Sequence, residues 1–509
     1  VFNTSGARAT LLPAPPPGGF PATPPGADAF GNLEPGAFAI SSALDSGITT
    51  PYAHAYNVSI GRELPGNLSL EFAYVGRSGR KLLMIRDLAM PADICDPGSG
   101  TCYFQAAQEL IRLFEQGVDI NSLGPIPFWE NLFPSFGPSG INGGFLPCDL
   151  FGADPSFNGG FSATQVAYDW INCIHPDTTV FPWLVDTFGF PGYVRGGPGA
   201  TDIDGDGIPD APFAMFDDQF ATLTAWSSIG RSEYHAFQLM LRKRMSHGIQ
   251  FDFNYTLSKS LDHASTPERA PIAFGFFTGG YTGSTINAWQ PDLEYSFSDF
   301  DMRHQINSNF IFELPFGRGR WLAAEVPNWL NHIIGGWSLS GIVRINSGLP
   351  ANVINDRVWP TNWNLQGNAT CKPASGSDLG ALRGPCPATQ NVSGAVHSVT
   401  GGRPTPNLFA NPDQAFNFFR FTLPGQRGER NILRGDHYFN LDLGLGKTFQ
   451  MPWEGHSFAI RWEVFNVTNS AYFDTVSLSA DLGRQGTFGD YSAVLGGPRR
   501  MQISGRYTF

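Results

Sequence analysis

Met501-Gln-Ile-Ser-Gly-Arg-Tyr-Thr-Phe509 is the stretch that decides the fold. Met501, Ile503, Tyr507 and Phe509 fall on one face of an extended backbone, and Gln502, Ser504, Arg506 and Thr508 on the other. A period of two marks a strand with two different environments. The apolar face runs to the final residue and ends in two aromatics, whereas free termini ordinarily fray. A terminal strand of a membrane barrel, with its aromatics at the membrane interface, explains both features.

The same two-sided pattern recurs upstream. Tyr56, Val58 and Ile60 alternate with polar or small residues, as do Leu68, Leu70, Phe72 and Tyr74 after the turn Leu64-Pro-Gly-Asn67. Phe237, Leu239 and Leu241 lead through Ser246-His-Gly248 to Ile249, Phe251, Phe253, Tyr255 and Leu257. Further strands carry Ile306, Phe310 and Phe312; Trp337, Leu339, Val343 and Ile345; Phe439, Leu441, Leu443 and Leu445; and Phe458, Ile460, Trp462 and Val464. With the terminal segment the expectation is an all-β antiparallel transmembrane barrel portion of about nine or ten strands. Opposite the apolar face, Asp252, Glu313, Asp442, Arg461 and Glu463 are expected to line a wet lumen and to pair with one another or with a plug.

Connections alternate between short turns near 63–67, 244–248 and 450–456 and long segments at 79–232, 259–302, 350–436 and 468–498. A medium connection spans 316–335. Outer-membrane barrels have short periplasmic turns and long extracellular loops. With Phe509 at the periplasmic end, counting backwards places every long segment outside. Residues 1–50, rich in Pro and Gly, read as a loop segment, and 51–509 as the barrel portion.

Composition agrees. The 509 residues are 15% charged and 14% aromatic, with 43 Phe, 60 Gly and 40 Pro, which suits strands joined by irregular loops rather than a helical bundle. No apolar run is long enough for a transmembrane helix. The net charge of −12 argues against a nucleic-acid partner, because a phosphate backbone needs a basic surface. The segments contain no G-x-S-x-G, H-E-x-x-H or P-loop, so catalysis is not expected.

Several motifs resemble the barrel of TonB-dependent receptors of the Oar-like kind. They are Tyr52-Ala-His-Ala-Tyr-Asn-Val-Ser-Ile-Gly-Arg-Glu-Leu-Pro-Gly66 with Tyr74-Val-Gly76, Tyr255-Thr-Leu-Ser-Lys-Ser260, Asp301-Met-Arg-His304 with Glu313-Leu-Pro-Phe-Gly317, Gly336-Trp-Ser-Leu-Ser-Gly341 with Ser347-Gly-Leu-Pro350, and Arg461-Trp-Glu-Val-Phe-Asn466. The resemblance implies an outer-membrane barrel of roughly twenty-two strands, plugged by an N-terminal domain, driven by TonB and taking up a large solute. Tyr507 and Phe509 resemble the terminal signal read by the barrel-assembly machinery. The chain opens Val1-Phe2-Asn3, and the expectation is that the whole protein continues N-terminally with the plug and remaining strands. An open sheet in lipid would leave edge N–H and C=O groups unpaired, each costing several kcal/mol. The rival expectation is a surface-exposed structural or adhesive protein whose braced loops carry the function.

Two loop features stand out. Asp202-Ile-Asp-Gly-Asp-Gly-Ile-Pro-Asp210 places carboxylates at alternate positions with Gly207 for a tight turn. Asp202, Asp204, Asp206 and Asp210, with the Ile208 carbonyl, match a calcium loop. Phe213 stands where an EF-hand has Glu, so the expected site resembles the shorter calcium loops of thrombospondin type 3 repeats and dockerins, and its Ca²⁺ is structural. Six cysteines sit in the long segments, and sequential pairing is expected: Cys95–Cys102, Cys148–Cys173 and Cys371–Cys386. Gln105–Gln116 reads as a short amphipathic helix, and Trp321-Leu-Ala-Ala as a weaker one. The aromatics of 126–195 suit either a loop core or a ligand surface.

Overall fold

The computed structural model describes residues 39–87, 93, 95–139, 144, 146–148, 159–175, 181, 220–265, 284–285, 291–355, 368–372, 386, 405–426 and 428–509. Its frame is one antiparallel sheet of long strands in sequence order: β1 (Tyr52–Leu64), β2 (Leu68–Asp87), β3 (Phe220–Ser246), β4 (Ile249–Asp262), β5 (His304–Glu313), β6 (Trp337–Asn346), β7 (Tyr438–Gln450), β8 (Ser457–Phe465) and β9 (Arg500–Thr508). Each strand pairs with its chain neighbour, as in an up-and-down meander. Among the described residues β1 and β9 form the two edges and do not pair with each other.

The register carries the two faces from strand to strand. Phe72 opposes Leu239, Leu239 opposes Tyr255 and Tyr255 opposes Ile306. The row continues as Ile306–Ile345, Ile345–Phe439 and, one level along, Leu445–Trp462–Ile503. On the other face Gln238 opposes Thr256, Asn254 opposes Asn307, Arg344 lies between Asn307 and Asn440, and Glu463 opposes Gln502. A one-residue slip anywhere would exchange the faces, so the apolar pattern fixes the register. The turns help: His247 and Gly248 adopt φ of 51° and 77°, the two positive values that a two-residue hairpin turn needs.

Among the described residues, much of the apolar face is open at the two edge strands. Val58 is 70% exposed and Ile503 75%. Transfer of such side chains from water to an apolar medium favours burial by roughly 1.5–3 kcal/mol each. No described helix is long and apolar enough to cross a membrane.

Two helical or strand extensions differ from the pattern-based reading. The long segment expected over 79–232 begins and ends as strand, because β2 runs to Asp87 and β3 starts at Phe220. Register shifts between Gly79 and Met84, with Lys81 at φ 55°, break the alternation that would have announced the extension. Beyond it, Ala39–Leu44 adds in parallel to β3. Trp321–Ala324 is not helical; Gly317 and Leu322 form a tight loop, and the helix lies later, at Asn328–Ile334 behind Pro327.

At the loop end the chain builds two cores of ordinary soluble type. Helices α1 (Tyr103–Glu115), α2 (Pro127–Leu132) and α3 (Ala163–Ile174) enclose Leu110, Phe128, Trp129, Phe133 and Ile171, all essentially inaccessible. A capping box starts α3: Gln165 N–H donates to Ser162 Oγ, and Ser162 N–H donates to Gln165 Oε1 at 2.9 Å. The second core joins the segment after β6 to the segment after β8, with Phe409 stacked on Phe488 at 5.5 Å.

Candidate functional site: the inner wall and its cap

The inner face is polar because its alternate positions carry Asp, Asn, Gln, Ser and Arg, and its charges are matched locally. Arg242 donates to Asp252 at 2.7 Å, Arg320 to Glu313 at 2.9 Å and Arg461 to Glu463 at 2.8 Å; Glu463 also accepts from Gln502. Asp442 accepts the Asn466 N–H at 2.8 Å. The five charged residues expected on this face therefore all have partners within the chain.

Two cavities open between the wall and the loops. One, about 690 Å³, is lined by Asn57, Val75, Arg77, Leu82, Ser260 and Phe300 among others. The other, about 620 Å³, is lined by Arg344, Tyr438, Asn440, Asp442, Arg500 and Gln502 with the base of the last loop.

The loops are fastened above these cavities by a buried charge network that the sequence did not announce. Arg430 is buried and bridges Asp262 and Asp299, each at 2.8 Å, while also donating to Ser265. Asn431 donates to the Phe297 carbonyl and to Asp299. Arg434 bonds Asp301 and lies 4.9 Å over the Phe297 ring. Asp301 in turn accepts the Ser260 N–H. Burial alone would push the Arg430 guanidinium down, but Asp299 and Asp262 more than offset it and hold it above its usual value.

Next to this network His263 is fixed as a neutral ring. The Arg231 N–H donates to its Nδ1 at 3.0 Å, which leaves Nε2–H to donate to Asp292 at 3.0 Å. Burial holds its pKa below the ordinary 6.5. Arg231 also lies 4.3 Å over the Tyr295 ring, and burial pushes the Tyr295 hydroxyl up to about 12.

The residues singled out from sequence fall in separate places. Disulfides join Cys95 to Cys102, Cys148 to Cys173 and Cys371 to Cys386. The first two brace the helical cap and the third the second core. Asp202, Asp204, Asp206, Ile208 and Asp210 lie outside the described residues. Tyr507 and Phe509 stack at 6.3 Å on the outer face, and Tyr507 OH pairs with His456 Nδ1 at 2.7 Å. The aromatics of 126–195 that are described, Phe128 to Phe181, form the first cap's core rather than an open surface. Arg430, Asn431 and Arg434 left no trace in strand periodicity, because their partners lie more than a hundred residues away.

Residues 1–138 and 185–502 match a protein family described as an outer membrane beta barrel domain. Among solved structures, the chain is similar to the outer membrane transporter YddB from Escherichia coli, with 9% identity and a TM-score of 0.33, over 92% of this chain and 35% of that one. It is also similar to the pyoverdine outer membrane receptor FpvA from Pseudomonas aeruginosa PAO1, with 9% identity and a TM-score of 0.30, over 92% of this chain and 31% of that one. The chain thus spans about a third of the length of these structures. No curated protein matches it. The family match covers most of the sequence, and the chain belongs to the outer membrane beta barrel domain family, its strands lying in a bacterial outer membrane.

Proposed function

We propose that this chain is the C-terminal wall and extracellular cap of a TonB-dependent receptor of the Oar-like kind, which takes up a large solute. The observation that carries the reading is the polar inner face opening into two cavities beneath a braced cap, on a sheet whose edges β1 and β9 are not paired with each other among the described residues. A barrel of about eight strands has an interior that side chains fill. A wall with a wet, charged inner face belongs to a wider ring, so further strands complete it and a plug fills it. In this reading TonB drives transport through the plug, and the barrel-assembly machinery reads Tyr507 and Phe509.

The test is uptake by cells carrying the complete gene, with candidate peptides, glycans and siderophores. Ligand-dependent growth that is lost when TonB is deleted is the expected result. Surface binding or adhesion that persists without TonB would favour the second reading, a structural or adhesive protein, which the two disulfide-braced loop cores support. The Asp202–Asp210 loop is assigned a structural Ca²⁺ on its ligand spacing. Calorimetry of the whole protein should register binding, and no heat at millimolar Ca²⁺ would reject the assignment.

A further inference from the structure

The connection between β5 and β6 lies at the end of the barrel where turns are otherwise short. It contains α4 (Asn328–Ile334), which half-buries Leu330 and Ile334 and turns Trp329 and Ile333 away from the protein. Trp329 is 66% exposed and Ile333 58%, and these two lie four residues apart on one helix face. Trp321, nearer the start of the connection, is 86% exposed. A water-exposed turn would not ordinarily display two tryptophans and an isoleucine.

The placement of the helix is fixed on the outer side of the wall. Lys447 and Trp337 oppose each other across β7 and β6, on the apolar face shared with Leu445 and Leu339. Lys447 Nζ donates to the carbonyls of His332 and Ile333, at the C-terminal end of α4. Trp337 Nε1 donates to the Ile333 carbonyl at 2.9 Å. A lysine on a lipid-facing row would be costly unpaired; here it satisfies helix carbonyls that have no intrahelical partner. Arg318 holds the rest of the helix, its N–H donating to Asn331 Oδ1 at 2.7 Å and its guanidinium to Asn328 Oδ1 at 2.5 Å. The helix is thus riveted to the rim, and its free face continues the lipid-facing surface.

From this geometry we infer that α4 is an interfacial anchor lying in the headgroup layer of the phospholipid leaflet at the turn end, with Trp329 and Ile333 inserted among the acyl chains. Tryptophan prefers that depth because its ring is amphipathic. Trp453, 64% exposed in the neighbouring β7–β8 turn, extends the same belt. The inference rests on the outer-membrane location and not on uptake.

The test is spin labelling of Trp329→Cys and Ile333→Cys in the complete protein in isolated outer membranes. The six cysteines of this chain are all in disulfides, so each substitution adds one reactive thiol, read against the unsubstituted protein. Ile503→Cys on the apolar face and Glu454→Cys in the β7–β8 turn are the lipid and water references. Collision with oxygen should exceed collision with a water-soluble nickel chelate several-fold at 329 and 333, as at 503. Nickel exceeding oxygen, as at 454, would place the helix in water and overturn the inference. Low collision with both reagents would mean that protein covers the helix, and would overturn it equally.

Discussion

The barrel wall and the extracellular cap bury their apolar residues in opposite directions. In the wall, Val58 and Ile503 face outward and the polar residues face inward; in the cap, Trp129 and Phe133 are inside and the polar residues face water. The contrast follows from the solvent. Lipid on one side and water on the other force a period of two onto every strand of the wall. Water all round asks only that the cap enclose a core, and any order of helices and turns that does so is acceptable.

That contrast can be broken most strongly in the cap. Trp129→Ala removes a fully enclosed ring packed against Phe128 and Phe133, and should destabilise the first cap by roughly 3–5 kcal/mol. Limited proteolysis should then cut between residues 95 and 175 while the sheet stays protected. Leu443→Arg strikes the wall instead. A cation on the lipid face near mid-strand should lower stability by roughly 2–4 kcal/mol, read by denaturant unfolding in vesicles. The exchange Asn440→Leu on the inner face should have little effect, which sharpens the difference between faces. Opening Cys148–Cys173 by Ser substitution at both positions should destabilise the cap by about 3 kcal/mol. Proteolysis of oxidised and reduced wild-type protein would show the same step.

A further, modest effect is a dependence on pH. The folded-state pKa of His263 lies below the unfolded value of 6.5, so folding favours the neutral ring. Its contribution is complete above pH 6.5 and declines as pH falls through 6.5 towards the folded value. Protonation at Nδ1 removes the acceptor for the Arg231 N–H, so hydrogen exchange at the Arg231 amide should quicken on mild acidification. In His263→Asn that pH dependence should vanish.

The same contrast governs how much of the molecule can be read from sequence. The wall is legible because each strand repeats its environment every second residue: Phe237 to Leu241 and Ile249 to Leu257 announce a hairpin on their own. Where bulges interrupt that period, between Gly79 and Met84, the pattern stops although the strand continues. The helix over 103–115 is legible from its apolar spacing, but α4 is not, because seven residues are too short for a periodic signal. The clamp formed by Arg430, Asn431 and Arg434 is invisible locally, since it exists only after the β4–β5 loop and the segment before β7 meet. Cysteine pairing in chain order is readable because each pair closes a short loop.

The central claim is that the sheet separates lipid from an aqueous lumen, and a spin-label scan of β7 from Phe439 to Leu445 tests it most directly. Single cysteines at 439, 441, 443 and 445 should show high oxygen accessibility in outer membranes, and those at 440, 442 and 444 low, giving a period of two. A flat profile, or a period near 3.6, would contradict the account.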